Sequence, residues 1–468
     1  MNKGNLEKFT DDLKCRFNWP ENGTIIIATS GGPDSVFLLI VMNELSKTAG
    51  FNIHVVHVDH MLRGEDSLGD SLFVSKLSAK LKIPCTIKRI DIPNIMKTEK
   101  GSSQEVCRKY RLEFLFDEVK RINAVGLAFG HNKNDQAETL LINLLRGSGM
   151  NGLSGMKTHE AKNGVGIYRP ILHIEKEDIE KFLNDEKIDY RLDKSNLEDD
   201  YVRNHIRHNL VPVIEKEYNP NIIQALYNTA RIIDKDNDFI NAYVKKVFDA
   251  FFSDEKTALR AKAESIISED IAIQLRLVRL AYEKLIGNVE MLTFNHSIEM
   301  IDVVKSAHGF SINLPKNIVA EKIYDDFYLY KKGHFDSDPL TEVTVQLGKQ
   351  VEFSQTIMTF YETKDVNIDK SEYAFDKEEL SLPLHIRTRI KGDRFTPFNF
   401  SGTKKIKDFM IDEKIPHHIR DSVPLLVDDN GKILAVIGLR RSNHALINER
   451  SSEIIKCKIL EVPNWKKI

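Results

Sequence analysis

The sequence predicts an α/β domain with a doubly wound parallel sheet, followed by a mostly helical middle domain and a small α+β C-terminal domain. From residue 24 to about residue 186, short apolar segments alternate with amphipathic helical ones, as is typical of a parallel sheet covered on both faces. From 213 to 287 apolar residues recur at helical spacing among charged ones. After the turn-rich segment 332–339, strand-like stretches such as 433–437 are short. The predicted domains are therefore 1–212, 213–332 and 340–468.

The first domain is expected to contain four strands, at 24–29, 51–59, 85–90 and 124–129, because these apolar stretches are separated by helical patterns. The helices are predicted at 34–47, 67–82, 103–121 and 133–146. On the last helix we expect an apolar stripe facing the sheet, formed by Ala137, Leu141, Leu144 and Leu145. Residues 293–332 are expected to form a small α/β continuation.

Composition excludes several classes of protein. Of the 468 residues, 41% are hydrophobic and 29% charged, and the longest purely apolar run, 36–42, is far shorter than a membrane span. The N-terminus has acidic residues and lacks a signal-peptide core, so we expect a cytoplasmic protein without a membrane partner. The four cysteines form no CxxC pair, which argues against a disulfide framework, a zinc ribbon and an iron–sulfur cluster. Since the net charge is −2, a nucleic-acid partner would have to meet local basic patches.

The first strand–helix junction carries Ser30-Gly31-Gly32-Pro33-Asp34-Ser35. A glycine-rich turn before a helix directs backbone N–H groups and the positive helix end at one point, and phosphate is the commonest occupant of such a site. The two glycines allow close approach of a ligand, and the two serines add hydroxyl donors. The loop matches neither GxxxxGK[ST] nor GxGxxG. The alternative interpretation is a tight turn with an Asp near a helix start.

This loop resembles the pyrophosphate loop of the N-type ATP pyrophosphatases, which cleave ATP between the α and β phosphates and adenylylate a carbonyl-type oxygen. The resemblance implies an adenine nucleotide α-hydrolase-like fold and a loop, Ser30 to Ser35 with Pro33, that binds ATP. It also makes Asp34 a catalytic candidate and a candidate Mg²⁺ contact, since Mg²⁺ prefers carboxylate oxygen. The loop indicates the superfamily without indicating the substrate.

Further motifs narrow the choice. They are VDHMLR (58–63), EVCRKYR (105–111), GHNKNDQAET (130–139), LRGSG (145–149), GLSGM (152–156), YRPIL (168–172), DKSN (193–196), YVRNHIRH (201–208), GDR (392–394) and GTKKIKD (402–408). In this order, along nearly the whole chain, they resemble the tRNA(Ile)-lysidine synthetases. That family is taken to join the side-chain nitrogen of free lysine to C2 of the wobble cytidine of tRNA(Ile) with a CAU anticodon. The implied route is an adenylylated cytidine, with release of AMP and pyrophosphate and a change of codon specificity from AUG to AUA.

Two acids suit this chemistry. Lysine has a reference pKa of about 10.4 and must lose a proton before it attacks. Asp135 and Glu138 stand at i and i+3 at a predicted helix start, so they could hold the ammonium and help remove that proton. The alternative is that they simply complement the helix dipole. The family usually shows two histidines and two acids in this segment. Here Asn132 and Asn134 replace one of each, so we assign them no role, and His131 only a weak one.

Asp59 and Arg108 are further candidates for ATP binding. Asp59 is the last residue of the second predicted strand, where capping the turn that follows is an equal alternative. The resemblance favours Arg108 as a phosphate contact, although Arg108 and Arg111 could be ordinary solvated helix charges.

Two regions are expected to bind tRNA. The segment 193–208, together with Arg191 just before it, surrounds Tyr201 with basic residues, among them Lys194, Arg203 and Arg207, a mixture suited to phosphates and an unstacked base. Residues 387–407 hold seven Lys or Arg against Asp393, with three phenylalanines interleaved. The predicted tRNA contacts there are Arg394, Lys404, Lys405 and Lys407. For both regions the alternative is a solvated charged surface.

The expected partners are thus ATP, Mg²⁺, free L-lysine and tRNA(Ile), with the oligomeric state, including a homodimer, left open. The rival classes are a pyrophosphate-loop tRNA thiolase, a glutamine-dependent amidotransferase and an inactive tRNA-binding protein. The absence of a CxxC pair argues against the thiolase, and the absence of a recognisable glutaminase domain argues against the amidotransferase. The intact SGGPDS loop and the pair Asp135 and Glu138 argue against an inactive protein.

Overall fold

The computed structural model describes residues 3–62, 64–162, 164–191, 202–254, 258–289, 291–307, 309–334, 342–369, 371–416, 419–449 and 451–463. The chain divides into two compact units, Met1–Ile240 and Asn241–Ile468. In the described residues no helix is long and apolar enough to cross a membrane.

The first unit is built on one sheet with the strand order β3-β2-β1-β4-β6-β5. All neighbours in it are parallel except β5, which pairs antiparallel with β6 at the edge. The strands are β1 (Thr24–Ala28), β2 (Asn52–Asp59), β3 (Cys85–Arg89), β4 (Gly126–Phe129), β5 (His159–Lys162) and β6 (Val165–Tyr168). The helices are α1 (Lys3–Arg16), α2 (Pro33–Ala49), α3 (Glu65–Leu81), α4 (Ile92–Ile95), α5 (Ser103–Arg121), α6 (Lys133–Leu145), α7 (Met150–Leu153), α8 (Lys176–Asp185), α9 (Val202–His205), a π-helical turn (Ile206–Leu210), α10 (Val211–Glu217) and α11 (Ile222–Phe251), which runs on into the second unit.

Helices cover both faces of this sheet, as the apolar strands require. On one face α2, whose residues 35–42 are all buried, packs with α1 and α8 against Ile25 and Ile27 of β1. On the other face Leu115 and Val119 of α5 pack against Ile26 of the same strand. The doubly wound prediction is therefore confirmed.

The four predicted strands and four predicted helices are all present, with ends that differ by at most two residues. The hairpin β5–β6 was not predicted, because each of its strands has four residues and little apolar alternation. The prediction for the stripe on α6 was wrong. Ala137 and Leu141 pack against Ile206, Val211 and Ile223 of the following helices, whereas Leu144 and Leu145 are 57% and 68% exposed.

The first part of the second unit, up to residue 332, is largely helical, as predicted, and also contains a five-stranded antiparallel sheet in the order β7-β8-β11-β10-β9. The continuation predicted at 293–332 is present as a helix and three strands. The first two strands of the sheet were not predicted. The elements are β7 (Phe252–Asp254), β8 (Ala258–Lys262), α12 (Ala263–Ile267), α13 (Ile271–Ile286), α14 (Phe294–Lys305), β9 (Ser311–Leu314), β10 (Ile318–Ile323) and β11 (Asp326–Lys331).

Among its described residues, the C-terminal part consists of short antiparallel strands, one α-helix and a 3-10 turn at Lys377–Glu379, in agreement with the predicted small α+β domain. Its strands form three sheets, β12-β16-β19-β20-β21, β13-β14-β22-β15 and β17-β18. The elements are β12 (Val343–Thr344), β13 (Gln350–Phe353), β14 (Thr356–Thr363), β15 (Glu372–Asp376), β16 (His385–Arg387), β17 (Arg394–Phe395), β18 (Lys404–Lys405), α15 (Ile406–Asp412), β19 (Leu425–Val427), β20 (Ile433–Val436), β21 (Arg440–Arg441) and β22 (Ile454–Glu461).

Candidate active site

The SGGPDS loop connects β1 to α2 and is held in shape by its own hydroxyl groups. Gly31 N donates to Ser35 Oγ at 3.1 Å, and Ser35 Oγ donates to Gly32 O at 2.9 Å. Gly31 has φ +97°, a conformation that favours glycine. Gly32 is the residue before the helix and Pro33 its first residue, where a missing N–H is harmless. The loop is thus preformed at the positive end of a buried helix, as an anion site requires.

The site lies where the order of strand addition reverses. From β1 the chain proceeds to β2 and β3 on one side, and β4 lies on the other side of β1. In open α/β sheets, ligands bind in the crevice at the carboxyl ends of two such strands. Here those ends are the loop after β1 and Gly130 after β4. A Cβ on Gly130 would lie 3.1 Å from Asp34 O, which is tighter than most Cβ contacts, so any larger residue would require the backbone of the loop to shift by a few tenths of an ångström.

Asp34 and α6 meet in this crevice through Asn132, the cap residue of α6. Its Nδ2 donates to Asp34 Oδ1 at 2.9 Å, and its Oδ1 accepts from Asp135 N at 3.0 Å. Asp135 Oδ2 in turn accepts from Asn132 N at 3.1 Å. Sequence reasoning assigned Asn132 no role. The capping-box spacing of Asn132 and Asp135 was a signal that could have revealed it.

Glu138 and Asp135 share one guanidinium. Arg207, on the π-helical turn, donates to both carboxylate oxygens of Glu138 at 2.6 and 3.0 Å and to Asp135 Oδ1 at 3.2 Å. Arg203 lies 3.5 Å from Glu138 and donates to Thr139 Oγ1 at 2.7 Å. The structure therefore brings the two predicted acids together, and with them two arginines that were predicted from sequence as tRNA contacts. π-helical turns of this kind are frequent at functional sites.

Burial raises the pKa values of two of the acids in the site. It raises the pKa of Asp34 to about 6, although the Asn132 hydrogen bond acts in the opposite direction. Burial also raises the pKa of Glu138, while Arg207 opposes it. The Glu138 side chain is 2% exposed and that of Asp135 15%. Asp135 is therefore the more accessible of the two.

Further basic groups line the same edge of the sheet. Burial lowers the pKa of His60 and of His131 to about 4, so both rings are neutral at physiological pH. Arg111 on α5 is accessible to solvent, yet burial by the surrounding protein, with Arg108 nearby, lowers its pKa. Arg108 and Arg111 are both exposed, and the Arg111 charge lies close enough to His60 and His131 to act on both rings.

Asp59 has contacts that suit a structural role. Its Oδ1 accepts from Met61 N at 2.8 Å and its Oδ2 from Arg89 Nε at 3.0 Å, and it is 3% exposed. These are the contacts of a turn cap, the alternative considered from the sequence. A contact of Asp59 with ATP stays a prediction.

The basic stretch 387–407 is partly neutralised. Arg387 pairs with Asp393, Arg389 with Asp421 and Lys404 with Asp412. Arg394 and Lys405 face each other across the ribbon β17–β18, and both are exposed, as is Lys407. Some motif residues lie outside the described part of the chain, namely Arg63, residues 193–196 with the predicted tRNA contact Lys194, and Tyr201.

A preformed phosphate loop, a carboxylate in the first turn of α2 and two acids on α6, the helix that follows the neighbouring strand β4, define an ATP-using enzyme of the pyrophosphate-loop class. In agreement, residues 5–214 match the model of a PP-loop domain, and residues 384–457 match that of a TilS substrate C-terminal domain. The tRNA(Ile)-lysidine synthase of Caldanaerobacter subterraneus subsp. tengcongensis is 33% identical over 97% of this chain and 97% of its own. That of Clostridium acetobutylicum is 33% identical over 94% of this chain and 96% of its own. Among solved structures, a U34-tRNA thiolase from Methanococcus maripaludis covers 49% of this chain and 78% of its own, at 17% identity and a TM-score of 0.41.

The chain belongs to the tRNA(Ile)-lysidine synthase family. It is accordingly a ligase of tRNA modification that uses ATP.

Proposed function

We propose that this enzyme joins free L-lysine to C2 of the wobble cytidine of tRNA(Ile) with a CAU anticodon. The reaction releases AMP and pyrophosphate and changes the codon read from AUG to AUA. The observation that carries the proposal is the convergence of the phosphate loop, through Asp34, with Asp135 and Glu138 at one edge of the sheet. Since its substrate is tRNA, the activity belongs in the cytoplasm.

Adenylylation of the cytidine is the step that the loop supports. The C2 oxygen is a poor leaving group until it bears an adenylyl group, so ATP must react before lysine. The backbone N–H groups and serine hydroxyls of 30–35 would hold the departing pyrophosphate, with Arg111 as a further anion contact. Asp34 is the residue that would hold Mg²⁺, which neutralises phosphate charge when bound. The donor set fits, because Mg²⁺ commonly takes one or two carboxylates and completes its shell with phosphate and water.

The described residues include no group of three His, Cys, Asp or Glu that would form an all-protein metal site. This arrangement suits a cation that is bound together with the nucleotide.

Lysine attack is the step that Asp135 and Glu138 support. Arg207 binds Glu138 through two short hydrogen bonds and Asp135 through one longer one. We therefore assign Arg207 to keeping Glu138 ionised. Asp135, which is more exposed, is the acid that meets the substrate ammonium first and accepts its proton. AMP leaves as the amine nitrogen bonds to C2.

The C-terminal domain is proposed to bind tRNA. Like charges directly opposite each other in a two-stranded ribbon are destabilising. Arg394 and Lys405 nevertheless stand opposite each other and remain exposed. A phosphate backbone would relieve this repulsion.

The deciding experiment is incubation of the protein with ATP, Mg²⁺, labelled lysine and an unmodified tRNA(Ile) transcript with a CAU anticodon, followed by nucleoside mass analysis. We expect the label in one cytidine-derived nucleoside, together with AMP. A matched transcript with uridine at the wobble position should remain unlabelled. A folded protein that consumes ATP without labelling the cytidine transcript would overturn the proposed function.

A further inference from the structure

We propose that Asn132 is a positioning residue that fixes the Asp34 carboxylate at the phosphate loop and couples the loop to α6. This inference rests on the use of ATP by the site described above.

The amide of Asn132 has a unique orientation in the site. A carboxylate can only accept, so the Nδ2 group must face Asp34, to which it donates at 2.9 Å. A backbone N–H can only donate, so the Oδ1 atom must face Asp135 N, from which it accepts at 3.0 Å. Each half of the amide therefore has one specific partner. A side chain with two acceptors or two donors satisfies only one of these contacts.

Burial makes these contacts important. Asn132 is 2% exposed, so solvent has little access to replace a missing partner. Asp135 lies close enough to Asp34 for their negative charges to repel each other. The Asn132 amide is a neutral donor held between these two acids. Without it the Asp34 side chain would lose its bond to α6 and turn away from Asp135.

The position of the residue in the fold explains the coupling. Asn132 caps α6, which carries Asp135 and Glu138, while Asp34 belongs to the first turn of α2. One side chain thus connects the ATP side of the site with its lysine side. Both helices start at the carboxyl ends of adjacent parallel strands. A small shift of either helix would therefore change the distance between Asn132 Nδ2 and Asp34 Oδ1.

Three substitutions separate positioning from capping. Asn132→Ser keeps a good helix cap but is too short to reach Asp34, whereas Asn132→Ala removes both contacts. Asn132→Asp keeps the cap and places a third negative charge beside Asp34. For each variant we would measure MgATP binding by equilibrium dialysis, KM and kcat for the complete reaction, and the thermal unfolding midpoint.

We expect the Ser and Ala variants to lose MgATP affinity alike, by roughly 10- to 100-fold, as for a hydrogen bond to a charged group, and the Asp variant to lose more. KM for MgATP should rise more than kcat falls. Of the Ser and Ala variants, only Ala should unfold at a clearly lower temperature, because Ser keeps the cap. The Asp variant should also unfold at a lower temperature, because it buries a further negative charge beside Asp34. A Ser variant with wild-type MgATP affinity would show that Asn132 is only a cap and would overturn the inference. Because dialysis requires neither lysine nor tRNA, this result is independent of whether lysidine is formed.

Discussion

At the scale of single residues, Asp34 and Glu138 are both buried acids with different partners. Asp34 receives a hydrogen bond from a neutral amide, and its pKa is raised to about 6. Glu138 receives two from a guanidinium, which opposes the effect of burial on its pKa, although burial still raises it. Asp34 is therefore the acid whose ionisation the fold stabilises less, and it can interact with an added cation. Glu138 already has its cation.

Replacing Asp34 should raise stability and abolish ATP cleavage. The folded-state pKa of about 6 lies above the ordinary 3.8, so the native state retains a proton that the unfolded chain has lost. The unfolding free energy of the wild type should thus fall as pH rises from about 4 to about 6. Asp34→Asn removes this penalty and should gain up to about 3 kcal/mol at pH 8, with no gain below pH 4. Urea unfolding across this range checks the stability, and pyrophosphate release checks the activity. Release at the wild-type rate would refute the assigned role.

The acids of α6 should separate the two half-reactions. Asp135→Asn is expected to retain adenylylation and to lose most lysine transfer, because an amide neither holds an ammonium nor accepts its proton. The measurement is AMP incorporation into tRNA compared with lysidine formation. If both half-reactions fall equally, Asp135 serves ATP or Mg²⁺ instead of lysine. Glu138→Gln should impair lysine transfer as well, through loss of its pairing with Arg207.

At the scale of elements, α6 is joined to the π-helical turn 206–210 by the Arg207–Glu138 pair. Removing one partner leaves the other charge buried, which typically costs about 3–5 kcal/mol. Arg207→Met and Glu138→Gln should therefore each destabilise the protein, and the double variant should be less destabilised than the sum. We expect a coupling free energy of about 1–3 kcal/mol from a urea double-mutant cycle. Arg203→Met, which removes a 3.5 Å contact with Glu138 and a hydrogen bond to the neutral Thr139 hydroxyl, is the matched control and should be milder.

The close approach of β4 to α2 depends on Gly130. A Cβ there would lie 3.1–3.2 Å from backbone atoms of Asp34 and Ser35, which are rigid parts of the loop. Gly130→Ala should shift the loop relative to α6 and reduce kcat/KM for ATP by about tenfold or more. Gly149→Ala is the control, because Gly149 has an ordinary φ of −75° and open space around it. Equal activity of the two variants would show that this approach is not needed.

Strong local patterns explain which elements could be predicted. The apolar strands β1, β2 and β4 and the helix Ser103–Arg121, with its capping box, carry complete signals in their own residues. The hairpin β5–β6 does not, although the Asn163-Gly164 dipeptide between its strands is a known hairpin signal. The direction of the α6 stripe depends on helices much later in the chain, which no local pattern reveals. The candidate site likewise combines residues that local motifs reveal with a contact that they do not. Asp34, Asp135 and Glu138 stand in recognisable motifs, whereas the pairing of Arg207 with the acids is a tertiary contact.

At the scale of the whole molecule, charge is distributed unevenly in a protein of net charge −2. Three of the seven cations in 387–407 have acidic partners. Lys404, which the sequence alone placed among the tRNA contacts, is one of these three paired cations. The exposed cations Arg394, Lys405 and Lys407 are therefore the better test of a tRNA surface.

Changing Arg394, Lys405 and Lys407 together to alanine should weaken tRNA binding and flatten its dependence on salt. Removing one phosphate-binding cation lowers the slope of log affinity against log salt by roughly one unit, so the triple variant should lower it by up to about three. The control removes three exposed lysines of the same unit outside 387–407, namely Lys349, Lys364 and Lys432, and should leave the slope nearly unchanged. Since the phosphate loop and Asp135 lie in the first unit, saturating tRNA should restore most of the turnover of the triple variant. Turnover that is not restored at saturation, with tRNA affinity unchanged, would assign these residues to the chemistry of the site instead of to binding.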